Sequence, residues 1–285
     1  MIEQLSRLAA RTLHRTAARL PGRPSSALYT RGTPLILAHR GARTRKAENT
    51  VGAFVLGMEQ GADGVELDVH LTADRRVVVF HDEDLRRLGQ ANLRVRDLTL
   101  KELQAHDVGG LVKGGPPERG VAAPALEEVF ATLPSHAIVN VELKGGGPVP
   151  DGLEVEVLRT VARARAEDRV IYSAFHPIRC ARLRRLAPDA PVAMLHEEEQ
   201  PAPLRDLWLL PLIAPHAVHP QSTLCDAGYV EHARALGLAV HVWTVNDPAE
   251  MQRLAGLGVD AIITDVPDVA VATLRRAVTP ADTPP

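Results

Sequence analysis

The sequence predicts an α/β fold, a closed (β/α)8 barrel of the TIM type, and three observations carry that expectation. Short runs rich in β-branched residues alternate with amphipathic helical stretches, the order of a parallel sheet with helical crossovers. The number of these units fits a closed ring of eight better than an open sheet. The ionisable residues fall just after the strands, at the end where such a barrel carries its site. With 285 residues, the chain is long enough to build this barrel as one domain.

Residues 1–33 come first as a basic extension. Arg7, Arg11, Arg15 and Arg19 recur every four residues and line one helix face, with Leu5, Leu8, Ala9, Thr12, Leu13 and Leu20 on the remainder. Two readings stand: residues 1–20 as a peripheral contact with an anionic membrane surface, or a solvated helix packed on the domain, which is favoured. Arginine interrupts every apolar run, so there is no signal-peptide core and a cytoplasmic location is expected. Residues 21–26, rich in Pro, Gly and Ser, read as a linker.

The barrel proper is assigned to residues 34–277. Strands are predicted at 35–39, 64–69, 77–80, 138–143, 170–175, 192–195, 217–219, 239–245 and 261–264. Helices are predicted from Thr50 to Gln60, with Asn49 or Thr50 as N-cap, and at about 153–166, 177–187, 226–236, 248–257 and 266–277. That makes nine strands for eight places. The link from Glu66 to Asp82 has no room for a helix and reads as a hairpin. A two-residue tip at Asp74-Arg75 would set Asp68 opposite His81. Residues 83–125 break the rhythm and read as a small insertion over one end of the barrel, with a short capped helix over Leu98–Leu103. Residues 278–285 read as a disordered tail.

Composition bounds the function. The chain is 45% hydrophobic and 24% charged, with a net charge of −2, so no basic field argues for nucleic acid. Two cysteines make no disulfide framework and have no metal-type spacing. No apolar run reaches the roughly 18 residues of a membrane span.

In Gly64-Val65-Glu66-Leu67-Asp68-Val69, alternation along a strand puts Glu66 and Asp68 on one side and three apolar residues on the other. Two buried acids are costly unless something positive compensates them. Glu142 ends another strand, and the three supply oxygen ligands for one divalent cation, Mg²⁺ or Ca²⁺. Arg40 offers a planar fork of donors suited to phosphate, and Lys144 shares the face of Glu142. His39 and His81 suit proton transfer near neutral pH. Phe175 and Trp243 could wall a pocket or sit in the core. Glu48 and Asn49 are expected to orient Arg40 and start a helix. His176 could touch substrate or cap the helix before Pro177, and His241 is expected in the packing. A metal, two cations and two imidazoles describe phosphodiester cleavage.

These residues resemble the glycerophosphodiester phosphodiesterase family. The matching pieces run in order from about residue 35 to 270. They are His39-Arg40-Gly41, Glu48-Asn49-Thr50, Glu66-Leu67-Asp68-Val69, His81-Asp82, Leu98-Thr99, Glu142-Leu143-Lys144, Phe175-His176-Pro177, Trp243-Thr244-Val245-Asn246 and Ile263-Thr264-Asp265. The resemblance implies a divalent cation on Glu66, Asp68 and Glu142, with His39 and His81 as general acid and base. It implies a small glycerophosphodiester as substrate, with glycerol 3-phosphate and an alcohol as products. It also implies attack by the neighbouring glycerol hydroxyl through a cyclic phosphate. Departures are Ala47 for the usual proline, Asp74-Arg75 for Asp-Gly, and a basic loop at Arg43, Arg45 and Lys46 that could favour an anionic headgroup. The rivals are lysophospholipase D-type cleavage at a membrane surface and a non-catalytic phosphodiester-binding barrel.

Overall fold

The structure, a computed structural model, describes residues 33–275. The basic extension, apart from Thr33, and the 278–285 tail lie outside the described residues. The strands in chain order are β1 (Leu35–His39), β2 (Gly64–Leu71), β3 (Val77–Val79), β4 (Asp84–Leu85), β5 (Gln90–Arg94), β6 (Ile138–Leu143), β7 (Val170–Ala174), β8 (Val192–His196), β9 (Ala217–Pro220), β10 (Ala239–Val242) and β11 (Ala261–Thr264). Among the described residues, eight of them form a parallel ring in the order β1, β2, β6, β7, β8, β9, β10, β11. It closes through Leu35 against Ala261 and Ala38 against Thr264.

The helices lie between the strands: α1 (Val51–Glu59), α2 (Leu100–Gln104), α3 (Leu126–Thr132), α4 (Leu153–Ala164), α5 (Pro177–Leu186), α6 (Ala202–Arg205), α7 (Leu210–Ile213), α8 (Ala227–Ala235), α9 (Pro248–Leu257) and α10 (Pro267–Leu274). Local chemistry sets their ends. Thr50, not Asn49, is the N-cap of α1. Thr99 and Glu102 form a reciprocal capping box on α2. Asp247 with Pro248 opens α9, and Gly258 at φ 77° closes it. The sequence reading missed the seven-residue α3, the β4–β5 ribbon, and the two four-residue turns α6 and α7. All are too short to show a period. No helix among the described residues is long and apolar enough to cross a membrane.

Val65, Leu67 and Val69 face outward into the main apolar cluster with Phe54 and Leu126, all fully buried. A one-residue slip of β2 would turn all three the wrong way, so their burial fixes where Glu66 and Asp68 point. Inside the ring, Ile171, Ala193, Ala217 and Ala239 form an apolar floor. Above this floor the inward face turns polar, with Asn140, Ser173, His219 and His241 buried below the mouth.

The hairpin differs from expectation. Val69 pairs with Val79 and Leu71 with Val77, so Phe80, not His81, stands opposite Asp68. The loop holds five residues, not two, because Thr72 braces it. Its hydroxyl donates to Asp74 at 2.6 Å and accepts from the Arg76 N–H at 2.9 Å. An odd count shifts the register by one. Arg75 sits at φ 60°, the left-handed conformation that glycine adopts most easily.

Residues 83–125 form the expected insertion. Leu85, Val95, Leu103 and Val108 pack with Val78 and Phe80 of the hairpin in an apolar cluster separate from the main one. It docks on the loop after β1: the Glu48 N–H donates to the Leu111 carbonyl at 2.9 Å, the Lys113 N–H to the Arg43 carbonyl at 2.8 Å, and Lys46 pairs with Glu118 at 2.8 Å.

Candidate active site

β1 hands the chain to His39, Arg40 and Gly41. Gly41 sits at φ 84°, and a Cβ there would lie 2.5 Å from the Ala53 backbone, so only glycine lets the chain fold back over α1. The Arg40 N–H donates to the Glu66 carbonyl at 2.9 Å, and the Asn49 N–H donates to the Arg40 carbonyl at 3.0 Å.

β2 and β6 run in register with Asp68 beside Glu142. One oxygen from each of Glu66, Asp68 and Glu142 lies within 4.8 Å of the others, and all three residues are buried. The Lys144 Nζ stands 2.7 Å from Asp68 and 2.5 Å from Glu142. The Arg40 Nε is 3.2 Å from Asp68. Three negative groups thus face two positive ones. Burial, reinforced by Asp68 and Glu142, pushes the Glu66 carboxyl well above its usual range. Burial pushes Glu142 up as well, against the pull of Lys144. At Asp68 burial is outweighed by Lys144 and then Arg40, which hold the carboxylate well down. Two of three clustered carboxyls thus resist ionisation unless a further positive charge joins them, which makes this a fitting site for a hard divalent metal.

Supporting residues fix these groups. The Asn49 side chain donates to Asp68 at 2.8 Å and accepts from its backbone N–H at 3.2 Å. Glu48 binds Arg40 at 3.1 Å, Arg43 at 2.6 Å and Arg87 at 2.6 Å, so it orients Arg40. Arg43 and Lys46 are thus paired with acids, and of the three basic loop residues only Arg45 is fully at the surface.

The two imidazoles are built alike. His39 Nδ1 lies 2.7 Å from Asp265 Oδ1, leaving Nε2 at 3.9 Å from Glu66. His81 Nδ1 lies 2.7 Å from Asp82 Oδ1. Despite the shifted hairpin register, His81 stays one residue past Phe80, whose N–H donates to the Asp68 carbonyl at 2.9 Å. Burial depresses His39 to about 4, against the opposing hydrogen bond from Asp265. The sequence reading gave Asp82, Asp265, Asn246, Lys113 and Arg87 no role. Asn246 donates to Asp265 at 2.8 Å.

Phe175 and Trp243 meet edge to face at 5.5 Å, half-buried at the mouth. The strand predicted to reach residue 245 stops at Val242, so Trp243 lies just past its end, where its indole donates to the His219 carbonyl at 2.8 Å. His219, at the end of the strand predicted over 217–219, is fully buried, stacked on His241 at 4.6 Å. His176 caps α5, accepting from the Ile178 N–H at 3.3 Å.

With known proteins the likeness is extensive. The model of the family described as "Glycerophosphoryl diester phosphodiesterase family" matches residues 39–269. The glycerophosphodiester phosphodiesterase of Caldanaerobacter subterraneus subsp. tengcongensis is 34% identical over 244 residues, 85% of this chain and 98% of that protein. A glycerophosphodiester phosphodiesterase structure from Agrobacterium tumefaciens is 27% identical with a TM-score of 0.70, covering 84% of this chain and 99% of its own. An Oleispira antarctica phosphodiesterase, solved with the product sn-glycerol-3-phosphate, is 25% identical at TM-score 0.70, covering 86% and 98%.

Proposed function

The chain belongs to the glycerophosphoryl diester phosphodiesterase family, and from that premise we propose how it cleaves a glycerophosphodiester to glycerol 3-phosphate and an alcohol. It is an enzyme, a phosphoric diester hydrolase with a small-molecule substrate. The observation that carries the mechanism is the buried cluster of Glu66, Asp68 and Glu142, flanked by His39 and His81.

Glu66, Asp68 and Glu142 hold one divalent cation, Mg²⁺ or Ca²⁺. When bound, that ion offsets phosphate charge and polarises the phosphoryl group. Arg40 and Lys144 bind the non-bridging oxygens, exchanging part of their contact with Asp68, Glu48 and Glu142 for the substrate. One imidazole takes a proton from the attacking hydroxyl, and the other delivers one to the departing alkoxide oxygen. Positioned proton transfer of this kind contributes about 10²–10⁴-fold. With the neighbouring glycerol hydroxyl as nucleophile, the first step gives a cyclic phosphate. Water then opens it with the two imidazoles exchanging roles. Phe175 and Trp243 wall the glycerol or the headgroup. Residues 34–277 carry this chemistry without help from the 1–33 extension.

A second reading, lysophospholipid cleavage at a membrane surface with residues 1–20 as the peripheral contact, is favoured by one observation. Val149 is 80% exposed and Ile178 39% exposed beside the mouth. The Val149 loop is tied to α5 by the Arg182 guanidinium donating to the Pro148 carbonyl at 2.7 Å. An apolar lip there could take an acyl chain.

Glycerol 3-phosphate release from a panel of glycerophosphodiesters, with EDTA and metal add-back, tests the first reading. Release abolished by EDTA and restored by Mg²⁺ or Ca²⁺ is expected; release indifferent to EDTA overturns the metal assignment. Faster turnover of lysophosphatidylcholine than of glycerophosphocholine, lost without residues 1–33, favours the second.

A further inference from the structure

The insertion does more than cover the barrel. Asp265 and Asp82 divide their oxygens in the same way. At Asp265, Oδ1 meets His39 Nδ1 at 2.7 Å, and Oδ2 meets the Lys113 ammonium at 2.5 Å. At Asp82, Oδ1 meets His81 Nδ1 at 2.7 Å, and Oδ2 meets the Arg87 guanidinium. In each case one oxygen meets the imidazole and the other meets a cation; at Asp265 the second oxygen also accepts from Asn246 at 2.8 Å, and Arg43 stands 3.7 Å from the first. Both cations, Arg87 and Lys113, come from residues 83–125, although the two carboxylates lie far apart in sequence.

We propose that Arg87 and Lys113 are positioning residues, through which the insertion clamps Asp82 and Asp265 and so fixes the orientation and tautomer of His81 and His39. A carboxylate held at both oxygens cannot rotate away from the imidazole. It keeps the proton on Nδ1 and leaves Nε2 as the nitrogen for the reaction. An ordinary surface ion pair would be worth little, and the Lys113 side chain is 51% exposed. Two facts set this pair apart. Asp265 is only 1% exposed, and the Lys113 backbone N–H is tied to the Arg43 carbonyl at 2.8 Å, four residues past His39. The short side-chain bond is therefore made from a fixed base, at smaller entropic cost than between two free side chains.

The inference rests on the reading of His39 and His81 as proton-transfer groups, and the experiment separates the two. Lys113→Met, Arg87→Met, and the charge-keeping Lys113→Arg and Arg87→Lys are compared with wild type in the full chain. Arg86→Ala, whose side chain lies at the surface against Asp84, is the control. The readouts are kcat and KM for glycerophosphocholine, and the downfield Nδ1–H signals of ¹⁵N-histidine-labelled protein. Lys113→Met is expected to lower kcat about tenfold with KM little changed, to broaden or shift the His39 Nδ1–H signal, and to recover in Lys113→Arg. Arg87→Met is expected to do the same at His81 and also to raise KM, because Arg87 shares Glu48 with Arg40. Arg86→Ala is expected to match wild type. Folded Lys113→Met with wild-type kcat and an unmoved His39 signal overturns the clamp. Because Lys113 is half exposed, that variant decides the matter even if Arg87→Met fails to fold. Wild type that releases no glycerol 3-phosphate sinks the functional reading instead, while the histidine signals still test the clamp.

Discussion

The two histidines occupy equivalent places at the mouth yet live in different surroundings. His39 is 12% exposed, ends a barrel strand, and leans on a carboxylate just past the strand that closes the ring. His81 is 31% exposed, lies past the end of a hairpin strand, and leans on its own sequence neighbour. Barrel closure therefore positions one imidazole, and a local dipeptide with an insertion positions the other. The proposed chemistry asks the same of both, an Nε2 free to exchange a proton with an oxygen, and the fold meets that demand once globally and once locally.

The comparison breaks most simply by removing each ring. His39→Ala and His81→Ala are each expected to lower kcat by about 10²–10⁴-fold, read as glycerol 3-phosphate release. A ring whose loss leaves turnover intact is not a proton-transfer group.

Removing the supports sharpens the contrast. Asp265→Asn is expected to cost about 10–100-fold in kcat, and Asp82→Asn less. Asp265 is buried and also serves Lys113 and Asn246, whereas the Asp82 side chain is 23% exposed. His81 and Arg87 hold the Asp82 carboxylate down to about 2, against the effect of burial. Equal losses in the two variants would show that burial does not distinguish the two sites.

The smallest effect separates burial from catalysis. His196 and His241 are buried, and burial lowers them to about 4 and about 3. Well above pH 6.5 they are neutral whether folded or not and give no pH dependence. Below it, the unfolded chain takes protons that the fold refuses, so stability falls as pH drops toward 4. The slope is up to about 1.4 kcal/mol per pH unit for each group. Thermal melts from pH 7 to pH 4.5 are expected to show a falling Tm, with a shallower slope in His241→Phe. Unchanged slopes would mean that these rings take up protons in the fold.

Much of this was legible in the sequence, for a physical reason. Period-2 alternation in Val65–Val69 fixes the face of Glu66 and Asp68, and strand ends in a closed ring must converge, so the strand-end residues assemble without knowledge of any contact. The hairpin register was not legible, because it depended on Thr72 bracing an odd-numbered loop. Asp265 could have been found: a closed ring sets the last strand beside the first, and Ala38 opposite Thr264 puts Asp265 next to His39. Lys113 could not, since its position comes from how an irregular stretch docks on the loop after β1.

The central claim is that Glu66, Asp68 and Glu142 grip one dication between the two rings. Anomalous scattering from crystals grown with Mn²⁺ tests it most directly. The account expects a single strong peak about 2.0–2.6 Å from an oxygen of each of these three carboxylates, lost in Glu142→Gln. A peak bound elsewhere, or none in a crystal whose wild-type protein is active, would contradict it.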